Sequence, residues 1–141
     1  MRYMMFMRVD PAVYDREPAS ETETYAAMGR YNEELTKAGI LLALDGLQPP
    51  SEGERIEFGA GGATVVDGPF AEAKEVVGGY WILDVKSHDE AVEWARRVPA
   101  RDGEAIELRR VFEVADYDPA GLEAHGELSS QPSQQTAARD A

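Results

Sequence analysis

The sequence has no cysteine and only two histidines in 141 residues. Without cysteine, the chain cannot form disulfides, thiolate nucleophiles or cysteine-ligated metal sites. His88 lies at the start of a predicted helix and His125 in a polar tail, and neither has a second ligand at a spacing typical of zinc. The sequence therefore predicts no metal site. The glycines of "GAGG" (59–62) lie between two strands rather than before a helix, so we expect no nucleotide cofactor either.

Positive charge is also scarce, since 14 Lys and Arg stand against 27 Asp and Glu, for a net charge of −13. Nucleic acids and anionic membrane surfaces are bound through clustered Lys and Arg. We therefore expect neither of them as a partner. No apolar run approaches the roughly 18 residues of a membrane span, and the apolar N-terminal segment is shorter than a signal peptide. These features predict a soluble cytoplasmic protein.

What the chain does contain is a regular alternation of short apolar strands with two amphipathic helices. Ser20 and Glu23, and again Ser87 and Glu90, have the spacing of a capping box, which marks a helix start. The predicted elements are strand 3–9, helix 20–38, strand 40–44, a hairpin of 55–58 and 63–66, strand 79–85, helix 87–98 and strand 105–111.

This order predicts an α+β fold, namely a ferredoxin-like split β-α-β domain with an extra β-hairpin over residues 1–115. Residues 116–141 form a polar tail, for which we predict disorder or loose docking. Two helices cover only one face of such a sheet, yet strands 3–9 and 79–85 are apolar on both faces. We therefore predict a homodimer in which sheet faces sheet. The alternative is a monomer whose tail folds over the sheet.

Three stretches resemble the DGPF branch of the YCII-related family: "YMMFM", "ELTKAGILLALDGLQPP" and "DGPFAEAKEVVGGYWILDVKSHDEAVEWA". The resemblance extends from about residue 2 to residue 114. It implies a dimeric α/β-barrel, in which the sheet of a ferredoxin-like subunit pairs with that of its mate. It also implies an association with extracytoplasmic-function sigma factors.

Some relatives in this family resemble dehydrochlorinases and muconolactone-isomerase-like lyases, for which a catalytic His–Asp pair has been proposed. In those relatives the Asp ends the first strand and the His lies in the first helix. Asp10 occupies the first place here, but the helix position falls near Met28, and no histidine precedes His88. The resemblance therefore implies the Asp of the pair but not the His.

Five residues are candidates for a site. Asp10 and Asp67 are candidate catalytic bases, while Tyr31, Tyr80 and Met28 are candidate ligand-binding residues. The two aspartates and the two tyrosines also have structural interpretations. Asp10 would cap the loop after the first strand, Asp67 would begin a tight turn through Gly68 and Pro69, and the tyrosines would pack in the core. For Asp67 we favour the turn.

The favoured function is a homodimeric protein that binds a small organic ligand in the cavity between sheet and helices, without a cofactor. One alternative is a cofactor-free lyase or isomerase that uses an Asp base. The other is an accessory protein that associates with a sigma factor.

Overall fold

The structure, a computed structural model, describes residues 1–15 and 22–125. Its strands are β1 (Arg2–Val9), β2 (Leu41–Gly46), β3 (Glu54–Gly59), β4 (Gly62–Asp67), β5 (Val76–Asp84) and β6 (Ala105–Arg110). Its helices are α1 (Thr22–Lys37), α2 (His88–Arg96) and α3 (Pro119–His125). The predicted strands and the first two helices are thus all present, with ends that differ by a few residues.

Four strands form one antiparallel sheet in the order β2-β5-β1-β6. β5 lies between β1 and β2, which are joined through α1, and this is the split β-α-β arrangement. β3 and β4 pair only with each other and form a separate hairpin. The α+β ferredoxin-like fold predicted from the sequence is therefore confirmed.

Alternation along the central strands sets the core. In β1 every second side chain is buried, and Met5 is fully buried. In β5 the buried side chains are Trp81 and Leu83, which face the same side as Met5 because Met5 and Trp81 are paired across the strands. Helix α1 covers this side with Tyr31 and Leu35. The remaining buried apolar residues are Tyr3, Met7, Val9, Ile40, Val85, Ala91 and Val98.

The opposite side of the sheet is apolar and only partly covered. Met4 and Phe6 in β1 pair with Ile82 and Tyr80 in β5, and all four side chains are half-buried. The sequence predicted apolar residues on both faces of these strands, and the structure places them so.

The β3–β4 hairpin also presents an apolar face. Ile56 lies opposite Val65, and Phe58 lies opposite Ala63, so these side chains share one side of the two-stranded sheet. Phe58 is 85% exposed, Val65 63% and Ile56 50%. An exposed apolar surface of this kind is typical of an interaction site.

Two helix starts were predicted from capping boxes. At α2 the Ser87 hydroxyl accepts a hydrogen bond from the Glu90 amide at 3.1 Å, as predicted, while the Glu90 carboxylate accepts one from the Lys86 amide at 2.8 Å. Ser20 lies outside the described residues, so the first box is not described. α3 occupies part of the predicted tail, and residues 126–141 lie outside the description.

Candidate functional site

A cavity of about 470 Å³ lies between α1 and the helix-facing side of the sheet. Its lining includes Val13 and Tyr14 of the short 3₁₀ helix Pro11–Asp15, and residues of the segment between α2 and β6. Its wall is mainly apolar. The apolar and aromatic lining residues are Met7, Val9, Val13, Tyr14, Tyr25, Met28, Leu44, Tyr80, Trp81 and Pro99.

Two consecutive glycines in β5 keep the floor of the cavity open. The pairing of β1 with β5 shifts register between Met7 and Arg8, so Gly78 lies in a bulge. A Cβ atom at Gly78 would lie 3.2 Å from Val9 Cγ2, and one at Gly79 would lie 2.9 Å from the Asp45 carbonyl oxygen. A side chain at either position would therefore displace a wall of the cavity.

One polar side chain of α1 reaches this apolar wall. The Trp81 indole Nε1–H donates a hydrogen bond of 2.9 Å to Asn32 Oδ1. An indole nitrogen can only donate, so this contact fixes the Asn32 amide with its oxygen toward Trp81 and its NH₂ group on the other side. Asn32 follows Met28 by one helical turn, and both residues line the cavity.

A second polar group lies where the α2–β6 loop meets the start of α1. Arg101 donates from Nη2 to Thr24 Oγ1 at 3.3 Å, and its backbone amide donates to Glu104 Oε2 at 2.9 Å. All three residues line the cavity. The contact joins the first turn of α1 to the loop, so it fixes this part of the wall.

The predicted ligand-binding residues occupy three different environments. Met28 lines the cavity and is half-buried. Tyr80 also lines the cavity, while strand alternation turns its ring toward the opposite face, where its hydroxyl donates to Asp45 Oδ2 at 2.6 Å. That hydrogen bond, followed by burial and the Asp45 charge, raises the pKa of Tyr80. Tyr31 lies in the core, outside the cavity lining.

Tyr31 ties the two core helices together. Its hydroxyl donates to the Trp94 carbonyl oxygen in α2 at 2.8 Å, and its ring packs edge-on against Trp81 and Trp94. Burial raises the pKa of Tyr31 well above that of an ordinary tyrosine, and the Arg97 guanidinium lowers it only partly. Its phenol is therefore a neutral hydrogen-bond donor inside the core.

Neither candidate aspartate lines the cavity. Asp10 is exposed after β1, and its Oδ1 accepts a hydrogen bond of 2.9 Å from the Ala12 amide, which is the capping geometry of its structural interpretation. Asp67 is exposed at the end of β4, outside the lining of the cavity. The structure brings Met28 and Tyr80 to the lining of one cavity but not the other three candidates, and a catalytic role for Asp10 or Asp67 stays a prediction.

The turn after Asp67 is held mainly by the backbone. Gly68 donates its amide to the Gly53 carbonyl oxygen at 2.9 Å, and the Phe70 ring lies 3.9 Å below the Arg55 guanidinium. Arg55 also pairs with Glu72. Among the described residues the Asp67 carboxylate accepts no hydrogen bond, so the turn does not depend on it in the way the sequence suggested.

Asn32, Arg101 and Glu104 were not predicted from the sequence. Asn32 had a usable signal, because it is the only asparagine of the chain and lies four residues after Met28, on the same side of the helix. Arg101 and Glu104 lie in or beside a loop, where no periodicity indicates which way a side chain points.

The described residues show no group that would hold a metal ion: within 1–15 and 22–125, no three His, Asp or Glu side chains converge. In the same ranges no helix is long and apolar enough to cross a membrane.

Comparison of the sequence with known proteins identifies a matching family. The family model of the YCII-related domain matches residues 1–115. An uncharacterized protein of Rhizobium meliloti (strain 1021) is 40% identical over 60 residues, which is 43% of this chain and 48% of that protein. The chain thus matches about half the length of this relative.

Proposed function

We propose that this chain, which belongs to the YCII-related domain family, binds a small organic molecule in the cavity between α1 and the sheet. The observation that supports the proposal is the cavity itself, about 470 Å³ with a mainly apolar wall. Small-molecule sites in proteins are concave, have volumes of about 300 to 1,000 Å³ and combine apolar walls with a few polar groups. Asn32 and Arg101 supply such polar groups here.

The proposal includes a homodimer of the DGPF type in which two sheets face each other as a barrel. The half-buried apolar side chains on the open side of the sheet, such as Phe6 and Ile82, support it, because burial of apolar area stabilises an association. The exposed face of the β3–β4 hairpin adds Phe58, Ile56 and Val65 to the surface that a second copy would cover.

Catalysis is not needed for this proposal. A lyase or isomerase mechanism through Asp10 or Asp67 has less support than binding, since neither carboxylate lines the cavity. The sigma-factor association rests on the resemblance to the family alone.

The cavity is tested by filling it. We propose a thermal-shift screen of apolar organic molecules on the unmodified protein, on Met28→Trp and on Ala26→Trp. Trp at position 28 adds volume inside the cavity, whereas Ala26 is exposed on the same helix and serves as the matched control. Ligands that stabilise the unmodified protein and Ala26→Trp should lose their effect on Met28→Trp. Equal stabilisation of all three proteins, or no stabilising molecule at all, would contradict binding in this cavity.

A further inference from the structure

From the position of Asn32 we infer that the ligand of this cavity has an apolar body with a carbonyl oxygen, and that this oxygen accepts a hydrogen bond from Asn32 Nδ2. The inference rests on the proposed function, since it assigns a ligand class to the same cavity. It adds that Asn32 recognises the ligand and that the recognised group of the ligand is its carbonyl oxygen.

The first step is the orientation of the Asn32 amide. Trp81 Nε1–H is a donor without acceptor capacity, so the oxygen of Asn32 must face it at 2.9 Å. Trp81 is itself buried in the core at 5% exposure and its indole cannot rotate away without disturbing the packing with Tyr31. The core therefore holds the amide in one of its two orientations.

The second step is what this orientation leaves for a ligand. Within residues 1–15 and 22–125, Asn32 Nδ2 donates to no protein acceptor, although Asn32 is half-buried and lines the cavity. A side-chain N–H group at a cavity wall that has no protein acceptor is available to an acceptor on a ligand. A carbonyl oxygen that enters with an apolar body supplies the acceptor.

Other polar groups that line the cavity already take part in hydrogen bonds within the protein. Glu104 accepts from the Arg101 backbone amide, and the Tyr14 hydroxyl donates to the Leu47 carbonyl oxygen at 3.4 Å. Both groups are thus part of the protein's own hydrogen bonds. Asn32 differs from them, because its Oδ1 is held by Trp81 and its Nδ2 donates to no acceptor within residues 1–15 and 22–125.

Ketones, esters, lactones and carboxylates all present such an oxygen. The Arg101 guanidinium at the cavity wall favours a carboxylate, whereas the Glu104 carboxylate and the net charge of −13 oppose one. All of these compounds share the carbonyl oxygen, and a charged and a neutral probe distinguish a carboxylate ligand from a neutral carbonyl ligand.

Asn32 offers a direct readout, because it is the only asparagine of the chain. Protein labelled with ¹⁵N only in asparagine shows the NH₂ group of one side chain, and labelling of tryptophan adds the two indole signals of Trp81 and Trp94. The probes are indanone, indane carboxylate and indane, which share one ring skeleton and differ in the oxygen. We expect all probes that bind to shift the Trp81 indole signal, but only the two carbonyl probes to shift the Asn32 NH₂ signal.

The decisive variant is Asn32→Asp, which keeps an oxygen acceptor for Trp81 and replaces the donor by a carboxylate oxygen. Gln48→Glu makes the same change from amide to acid at an exposed loop position and is the matched control. Indanone should bind Asn32→Asp about tenfold more weakly than the unmodified protein, since a hydrogen bond of about 1.4 kcal/mol is lost. Indane should bind both proteins within about twofold.

The outcomes separate the two proposals. If indane and indanone both shift the Trp81 indole but indanone leaves Asn32 NH₂ unmoved, or binds Asn32→Asp unchanged, the carbonyl inference is wrong and the cavity proposal stands. If no probe shifts the Trp81 indole, the proposed function itself is wrong. A fold control comes from the Trp94 indole signal of unliganded Asn32→Asp, which should stay near its original position because Trp94 packs on Tyr31 in the core.

Discussion

At the scale of single residues, Gly68 is the position of the "DGPF" turn that tolerates no side chain. A Cβ atom there would lie 1.8 Å from the Pro50 carbonyl oxygen and 2.7 Å from the Pro50 carbonyl carbon, and both of these atoms are backbone. Asp67 beside it is exposed and accepts no hydrogen bond among the described residues. The motif that first suggested a catalytic carboxylate therefore depends on its glycine for the close approach of two loops.

We predict that Gly68→Ala lowers the free energy of unfolding by at least about 2 kcal/mol, because a backbone clash cannot be relieved by a rotamer change. Gly29→Ala is the matched control. Position 29 lies inside α1 and an added Cβ meets no atom within 4 Å, so alanine should stabilise by about 0.5 to 1 kcal/mol. Urea denaturation followed by circular dichroism measures both. A tolerated Gly68→Ala would contradict the close approach.

Tyr31 gives a prediction about pH. Its folded-state pKa is raised by burial above the ordinary value of 10.0, so the folded protein keeps the phenol protonated where the unfolded chain begins to lose its proton. The stability from this residue is complete below pH 10 and is lost as pH rises above that value. Tyr14 and Tyr80 also have raised pKa values and contribute in the same direction.

We therefore predict that Tyr31→Phe costs about 1 kcal/mol at pH 8, which is the usual contribution of one hydrogen bond. The Trp94 carbonyl keeps a second donor in the Arg97 amide, so the loss is not larger. Above pH 10 the difference between the two proteins should shrink. Tyr25→Phe, at an exposed position of α1, should change the unfolding free energy at pH 8 by less than about 0.5 kcal/mol. A difference for Tyr31→Phe that grows with pH would contradict the argument.

At the scale of elements, the helices and strands follow from local signals, but the site does not. Alternation in β1 and the stripe Met28, Tyr31 and Leu35 in α1 were visible in the sequence, and the structure buries their inward members. The spacing of three residues to Met28 predicts Tyr25 on the same stripe, yet Tyr25 is 69% exposed. It lies in the first turn of α1, beside the cavity, where no core lies beneath it.

The start of β5 shows a second limit of the sequence. Val76 and Val77 belong to the strand, although Gly78 and Gly79 suggested that it begins later, because a bulge lets them pair with Val9 and Arg8. The same glycines open the floor of the cavity. Pairing between distant strands decides this feature, and no local pattern contains it.

The start of α2 is a testable case of a local signal. Ser87→Ala should lower the free energy of unfolding by about 1 kcal/mol, because the Glu90 amide loses its acceptor at the N-cap. Ser51 is exposed and makes no hydrogen bond among the described residues, so Ser51→Ala should be close to neutral. Thermal denaturation followed by circular dichroism compares the two variants. Equal effects would show that the cap is unimportant here.

At the scale of the whole molecule, the main sheet has two sides with different proposed roles. The helix-facing side contains the cavity, and the open side contains Met4, Phe6 and Ile82. We assign the helix-facing side to a ligand and the open side to a second copy of the chain. Each assignment can be tested by itself.

For the dimer, light scattering coupled to gel filtration should give about twice the chain mass of 15.5 kDa at micromolar concentration. Phe6→Glu places a charge on the open face and should shift the mass to that of one chain, since an unpaired charge in an interface is costly. Ala26→Glu, at an exposed position of α1, should leave the dimer intact. A single-chain mass for the unmodified protein would contradict the dimer.

A ligand in the cavity between α1 and the sheet would change the methionine methyl signals of protein labelled with ¹³C-methyl methionine. Met7 and Met28 line the cavity, Met4 lies on the opposite face of the sheet, and Met1 is exposed at the N-terminus. Titration with indane and with indanone should shift the Met7 and Met28 signals in a saturable way and leave Met4 and Met1 in place. Shifts confined to Met4, or no saturable shift at Met7 and Met28, would contradict the claim.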